Sequence, residues 1–145
     1  MVRLRMLCFV ACVCGLLTVA NAATYYVNDD APADPGPGDV TVSDPAEDGS
    51  SEHPFDAIQE AIDAAADTDT VIVRGGTYTD TGNRDIDLLG KAIILRSQNG
   101  PEFTMIDCEG SSAVPYRAFY LHSGEGAASI IDGFTIANGY ASRRS

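Results

Sequence analysis

Along the chain, apolar and polar positions follow three successive patterns. An apolar run from Leu7 to Val19 follows Arg3 and Arg5 and ends at Ala20-Asn21-Ala22. A basic start, an apolar middle and small residues at the two positions a signal peptidase reads predict an export signal over residues 1–22, cleaved after Ala22. The run is shorter than the ~18 apolar residues expected of a membrane span. Lipidation at Cys12, behind Phe9-Val10-Ala11, would leave too few apolar residues ahead of the cut. The mature chain is therefore expected to lack a membrane span and to be secreted, periplasmic or held at the cell surface.

The second pattern is a lead-in followed by a helix. Thr24-Tyr25-Tyr26-Val27 reads as a short strand, and Asn28 to Ser51 is rich in Asp, Pro, Gly and Ser without periodicity, so residues 23–54 are expected to be a strand and an acidic loop. Phe55, Ile58, Ile62 and Ala65 then recur at helical spacing, with Asp56, Gln59, Glu60, Asp63 and Asp67 on the opposite side. This predicts one amphipathic helix of about three turns over residues 55–68. Pro54 suits its first turn, and Glu52 and Asp56 sit where a helix start favours negative charge.

From Thr70 onward the third pattern takes over: short β-branched and apolar runs separated by Gly, Asn, Asp and Ser, the signature of brief strands and tight turns. Val71-Ile72-Val73, Ile93-Ile94-Leu95, Met105-Ile106, Phe119-Tyr120-Leu121, Ile130-Ile131 and Phe134-Thr135-Ile136 are the expected strands. These runs also repeat. Leu95, Ser97 and Gly100 recur as Leu121, Ser123 and Gly126 at an offset of 26; Thr104-Met105-Ile106-Asp107 recurs as Ser129-Ile130-Ile131-Asp132 at 25; Val73-Arg74 maps on Leu95-Arg96 at 22. A unit of that size cannot bury its own apolar face and must stack on copies of itself. A parallel β-helix satisfies this better than a β-sandwich, whose turns come every 8 to 12 residues without periodic identity.

Gly49-Ser50-Ser51-Glu52-His53-Pro54-Phe55-Asp56-Ala57-Ile58-Gln59-Glu60-Ala61-Ile62, followed by Asp69-Thr70-Val71-Ile72-Val73-Arg74-Gly75-Gly76-Thr77-Tyr78, resembles the opening of secreted right-handed parallel β-helix proteins of the pectin-lyase-like superfamily. Ile131-Asp132-Gly133-Phe134-Thr135-Ile136-Ala137-Asn138-Gly139 resembles one of its recurring coils, and the lead-in from Tyr25 resembles the start of many bacterial, planctomycete-like members. The resemblance covers roughly residues 49–140. It implies an all-β, right-handed parallel β-helix (a solenoid) with an N-terminal amphipathic capping helix. It also implies coils over residues 69–140, about three in number before the chain ends, and a tail over 141–145. Physics supplies a reason for the cap: an uncovered first coil would leave its apolar end and strand edge facing water.

Charge then narrows the partners. With 21 acidic against nine basic residues the net charge is −12, and removing residues 1–22 would discard Arg3 and Arg5 but no acid. Nucleic acid is disfavoured as a partner, since its phosphates would be repelled. Signal cleavage would also remove Cys8, Cys12 and Cys14 and leave Cys108 alone, so no intrachain disulfide is expected and Cys108 reads as a small buried apolar residue.

Other side chains offer limited chemistry. Asp85 with Asp87, Asp67 with Asp69, and Asp29 with Asp30 place oxygens close together, which a hard cation such as Ca²⁺ accepts, although none spells an EF-hand loop; turn hydrogen bonding is the simpler role. Lys91, the lone lysine, reads as a solvated turn residue. Arg74 and Arg96 fall at equivalent repeat positions, and Asp107, Asp132 and Asn138 read as turn-bonding residues. His53 and His122 lack the carboxylate spacing of a metal triad. Superfamily members include pectate lyases and polygalacturonases as well as non-catalytic surface proteins, so the resemblance alone does not choose among them. The expectation is a secreted β-helix protein with a structural or glycan-binding role and no catalysis of its own. Its partners would be polysaccharide, cell-surface glycan or a second copy at the open coil end. The alternative is a polysaccharide lyase or hydrolase, pectate-lyase-like, whose catalytic coils lie beyond Ser145.

Overall fold

The computed structural model describes residues 21–29 and 46–141. The expected export signal, apart from its last residues, and Asp30 lie outside these. The described chain is mostly β, with one short helix. Strand β1 (Thr24–Val27) is followed by helix α1 (Ile58–Ala64), then β2 (Thr70–Val73), β3 (Gly76–Tyr78), β4 (Ile94–Ser97), β5 (Thr104–Asp107), β6 (Ile130–Asp132) and β7 (Thr135–Ala137). Every strand pairing is parallel. One sheet has the order β1-β2-β4-β6 and the other β3-β5-β7, so from β2 onward successive strands alternate between the two sheets. A further parallel bridge joins Ile86 to Phe119, with Ile86 N–H donating to Ala118 O and Tyr120 N–H to Ile86 O. No helix among the described residues is long and apolar enough to cross a membrane.

Parallel register lays like side chains over one another. Val71, Leu95 and Ile131 share one column, Val73 and Ser97 a second, and Tyr78, Ile106 and Ile136 a third. Val71, Val73, Leu95, Tyr78 and Ile106 are fully buried and meet Val27, Ile58, Ile62, Ile86, Leu88, Ile93 and Cys108 in one core. This alternation of inward and outward positions is the period of two expected of strands with one buried face. The Tyr78 hydroxyl, carried into that core, donates to Arg74 O at 3.0 Å.

The stacking register differs from the offsets suggested by the sequence. Val71 pairs with Leu95, 24 residues on, and Leu95 with Ile131, 36 residues on. Thr104–Asp107 stacks on β7, not on Ile130–Asp132. The connections between strands are unequal in length, with residues 79–93 between β3 and β4 but 108–129 between β5 and β6, and identical residues at one offset therefore do not overlie one another. Phe119-Tyr120-Leu121 does not form a strand of the main sheets; Phe119 contributes only the bridge to Ile86. Arg96 lies beside Ile72 and Asp132, so Arg74 and Arg96 are not equivalent. Asp107 and Asp132 likewise fall in different sheets. Strand β3 was not anticipated, because Gly-Thr-Tyr is too short to show alternation. A Cβ at Gly76 would collide with the Asp29 carboxylate, which explains the glycine in that strand.

The helix is shorter than the expected 55–68. Phe55 bridges in parallel to Val27, donating its N–H to Tyr26 O and accepting from Asn28 N–H, so it adds a rung beyond β1 and cannot also be helical. Ala57 is extended at φ −114°, ψ 142°, and Ala65 leaves the helix at φ −69°, ψ 151°. The helix packs against β1 and β2 and buries Ile58, Ala61 and Ile62. Its free N–H groups are met from far along the chain: Ile58 N–H donates to Asn83 Oδ1 at 2.9 Å and Gln59 N–H to Gly82 O at 2.9 Å. At the other end Lys91 Nζ donates to Ile62 O at 2.7 Å and Asp63 O at 3.0 Å. Lys91 is thus a helix-terminating group and not a solvated turn residue, because a cation is favoured where helix carbonyls are left over.

Candidate functional site

The four carboxylates singled out from sequence are divided by the fold into two places and given structural partners. Asp69 is buried, and its two oxygens accept from Ala23 N–H at 2.7 Å and Ala66 N–H at 2.8 Å. Asp67 Oδ1 accepts from Ala92 N–H at 2.8 Å. Both clamp the turn after α1 to neighbouring segments. Asp85, in the left-handed region at φ 51°, accepts from Arg117 N–H at 3.3 Å and lies 3.3 Å from Arg117 Nε. Asp87 accepts from Leu89 N–H at 3.0 Å and from Ser123 Oγ at 2.6 Å, and lies 3.4 Å from His122 Nδ1. Burial pushes the Asp87 carboxyl up, but its bonds to Ser123 and Leu89, with Glu125 and His122 close by, hold it below the usual value on balance.

Asp85 and Asp87 therefore belong to a surface patch built on the Ile86 to Phe119 bridge. The two segments joined by this bridge bring Asp85 beside Arg117 and Asp87 beside His122 and Ser123. Tyr120 stacks on His122 with ring centroids 4.2 Å apart and planes inclined by 14°, and the Arg117 guanidinium lies 4.5 Å from the Tyr120 centroid. Such cation–π and π stacks hold flat groups in a fixed orientation. Nearby, Arg84 lies 3.9 Å from the Tyr116 ring and pairs with Glu109. The patch is open: no pocket indents the described surface. Its Ser, His and Asp do not form a nucleophilic relay, because Ser123 Oγ and His122 Nδ1 both face the same Asp87 oxygen and Nδ1 also lies 2.9 Å from Tyr120 O. In an acyl-transfer triad the hydroxyl would instead face the imidazole.

A second cluster was not singled out by sequence spacing. Glu47, Asp56 and Glu60 each place a carboxylate oxygen within 4.8 Å of the other two, and among the described residues no other set of three or more His, Cys, Asp or Glu does so. Asp56 is 1% exposed, and neither of its carboxylate oxygens accepts a hydrogen bond; Glu60 Oε2 is buried in the same state. Glu47 Oε1 accepts from Asp56 N–H at 3.0 Å, which fixes the lead-in against the helix start. Burial, reinforced by the Asp56 carboxyl, pushes the Glu60 carboxyl up to about 8. The Asp56 to Glu60 spacing was visible in the sequence as part of a polar helix face. Glu47, nine positions before Asp56, joins them only through the fold of the lead-in.

The remaining residues have simpler roles. Cys108 is a free, buried thiol, pushed above its usual pKa by burial. Arg74 donates to Ser51 O at 2.6 Å and tethers the lead-in. Asp107 accepts from Glu109 N–H at 3.0 Å, the expected turn bond, and from Asn138 Nδ2 at 2.9 Å and 3.0 Å. Compared with known proteins, the chain matches no family model, no curated protein and no solved structure.

Proposed function

We propose that the chain is an exported right-handed parallel β-helix of the pectin-lyase-like type, with α1 as its cap, and that it serves as a structural or glycan-binding module with no catalysis of its own. Exclusively parallel pairing, with strands alternating between two sheets, supports the architecture. The observation that carries the binding role is the stack of Arg117, Tyr120 and His122 on an open face, flanked by Asp87 and Ser123. Flat π surfaces suit the C–H faces of sugar rings, and carboxylate, hydroxyl and guanidinium groups suit their hydroxyls. A net charge of −12 repels polyanions, so neutral glycans are the preferred partners.

Affinity electrophoresis of the purified chain through gels containing xylan, galactomannan or polygalacturonate tests this. Retardation by a neutral polysaccharide, weakened about fivefold or more in Tyr120→Ala, is the expected result, since one stacked aromatic is worth on the order of 1 kcal/mol. Migration unchanged by every polysaccharide overturns the binding role. Release of unsaturated uronate from polygalacturonate by the purified chain overturns the absence of catalysis.

A further inference from the structure

We infer that Glu47, Asp56 and Glu60 form a Ca²⁺ site that fastens the acidic lead-in to the start of α1. The argument begins with Asp56. A carboxylate that is 1% exposed and accepts no hydrogen bond at either oxygen lacks what normally offsets removal from water, and an uncompensated buried charge is among the most expensive features a fold can hold. Glu60 brings a second buried oxygen in the same state. Glu47 brings a third carboxylate, oriented by the bond from Asp56 N–H to its Oε1. When all three carboxylates are ionised they repel one another unless something of opposite charge lies between them.

Geometry and donor type indicate what that is. The ligand oxygens lie within 4.8 Å of one another. Two oxygens bound to a common Ca²⁺ at about 2.4 Å are at most about 4.8 Å apart, so the cluster has the span of a calcium shell. All three donors are carboxylate oxygens, without the nitrogen or sulfur that would select zinc or copper. Carboxylates on a loop and a helix start give the adaptable, irregular shell that Ca²⁺ accepts and that Mg²⁺, with its strict octahedron, does not. The site joins the lead-in to the helix start across the bond from Asp56 N–H to Glu47 Oε1, so occupancy would stabilise that junction.

The test is a calorimetric titration of the full chain, stripped of metal with a chelator, with CaCl₂ alone, together with thermal melts at constant ionic strength. One Ca²⁺ per chain is expected, with a dissociation constant on the order of 10⁻⁵–10⁻³ M, the range of extracellular calcium modules. The melting temperature should rise by roughly 5 °C at saturating Ca²⁺. Asp56→Asn should weaken binding at least tenfold. Should that variant not fold, Glu47→Gln, on the less buried lead-in, should do the same, while the double variant Asp85→Asn, Asp87→Asn leaves the affinity unchanged. Absence of heat and of any melting shift with CaCl₂ overturns the inference. So does an equal response to MgCl₂, which would mark general charge screening, or a Ca²⁺ affinity unchanged in Glu47→Gln. Glycan retardation reports on Tyr120 and His122, which are not among the three carboxylates of the cluster, so either result can fail without the other.

Discussion

Asp69 illustrates how much one carboxylate holds in this fold. It joins the residue just before β1 to the turn after α1, and both of its oxygens accept backbone N–H groups. Asp69→Ala would leave two donors without partners in a buried place, and we expect it to lower unfolding free energy by about 2–4 kcal/mol, measured by urea denaturation. Asp67→Ala, which frees the single Ala92 N–H at an exposed position, should cost no more than about 1 kcal/mol. Asp107 makes a different prediction, about pH. Its carboxyl is held below its ordinary value of 3.8, first by the Asn138 amide and then by the Glu109 N–H. An acid with a depressed folded pKa contributes stability that is fully present above the unfolded value and is lost as pH falls through the folded one. The Asp107 contribution should therefore be intact above about pH 4 and disappear only in stronger acid. A carboxyl NMR titration should show Asp107 titrating below the ordinary value and moving back toward it in Asn138→Ala. An unchanged midpoint in that variant would show that the side-chain bond is not the cause.

At the scale of elements, the helix and the strands differ in how far the sequence foretold them. The 3.6-residue spacing of Ile58, Ile62 and Ala65 was enough to place α1, because burial against β1 and β2 uses that very face. Its ends were not legible. Both are set by residues distant in sequence: Asn83 and Gly82 at the start, Lys91 at the finish. Most strands were placed to within a residue or two, since β-branched runs between turn residues leave few options. Their pairing was not, because connections of unequal length carry matching residues to unmatched positions, as Leu121 shows when set beside Leu95. The candidate calcium cluster stayed hidden for a related reason, since Glu47 approaches Asp56 only after the lead-in folds back. Ile62→Ala tests the helix as packing, with an expected loss of about 2–5 kcal/mol for a fully buried side chain. Asn83→Ala tests it as remote capping, with an expected loss of about 1–3 kcal/mol from the unpaired Ile58 N–H, seen as a lower denaturation midpoint with an unchanged slope.

For the molecule as a whole, the two ends of the sheets are unlike. At one end α1 and the Phe55 rung cover β1. At the other, β6 and β7 have no further strand beside them among the described residues, and apolar side chains lie open there. Ile136 continues the buried column of Tyr78 and Ile106 but is 54% exposed, and Ile130 is 46% exposed. Unpaired strand edges beside apolar surface template the addition of another chain. Opposing this is the net charge of −12, which repels a second copy until salt screens it; the Debye length falls from about 30 Å at 0.01 M to about 3 Å at 1 M. The two effects together predict association that increases with ionic strength, the reverse of an interface built from ion pairs. Light scattering on a sizing column should find monomer in dilute buffer and dimer or larger species at about 0.5 M salt. Ile136→Lys, which places a charge at the open end of the column, should keep the chain monomeric at both. Ile72→Lys, on the outward face of β2 away from that end, should not. Association that persists unchanged in Ile136→Lys would remove the open edge as its cause, and a wild-type chain monomeric in both buffers would show that charge and local twist protect the edge unaided.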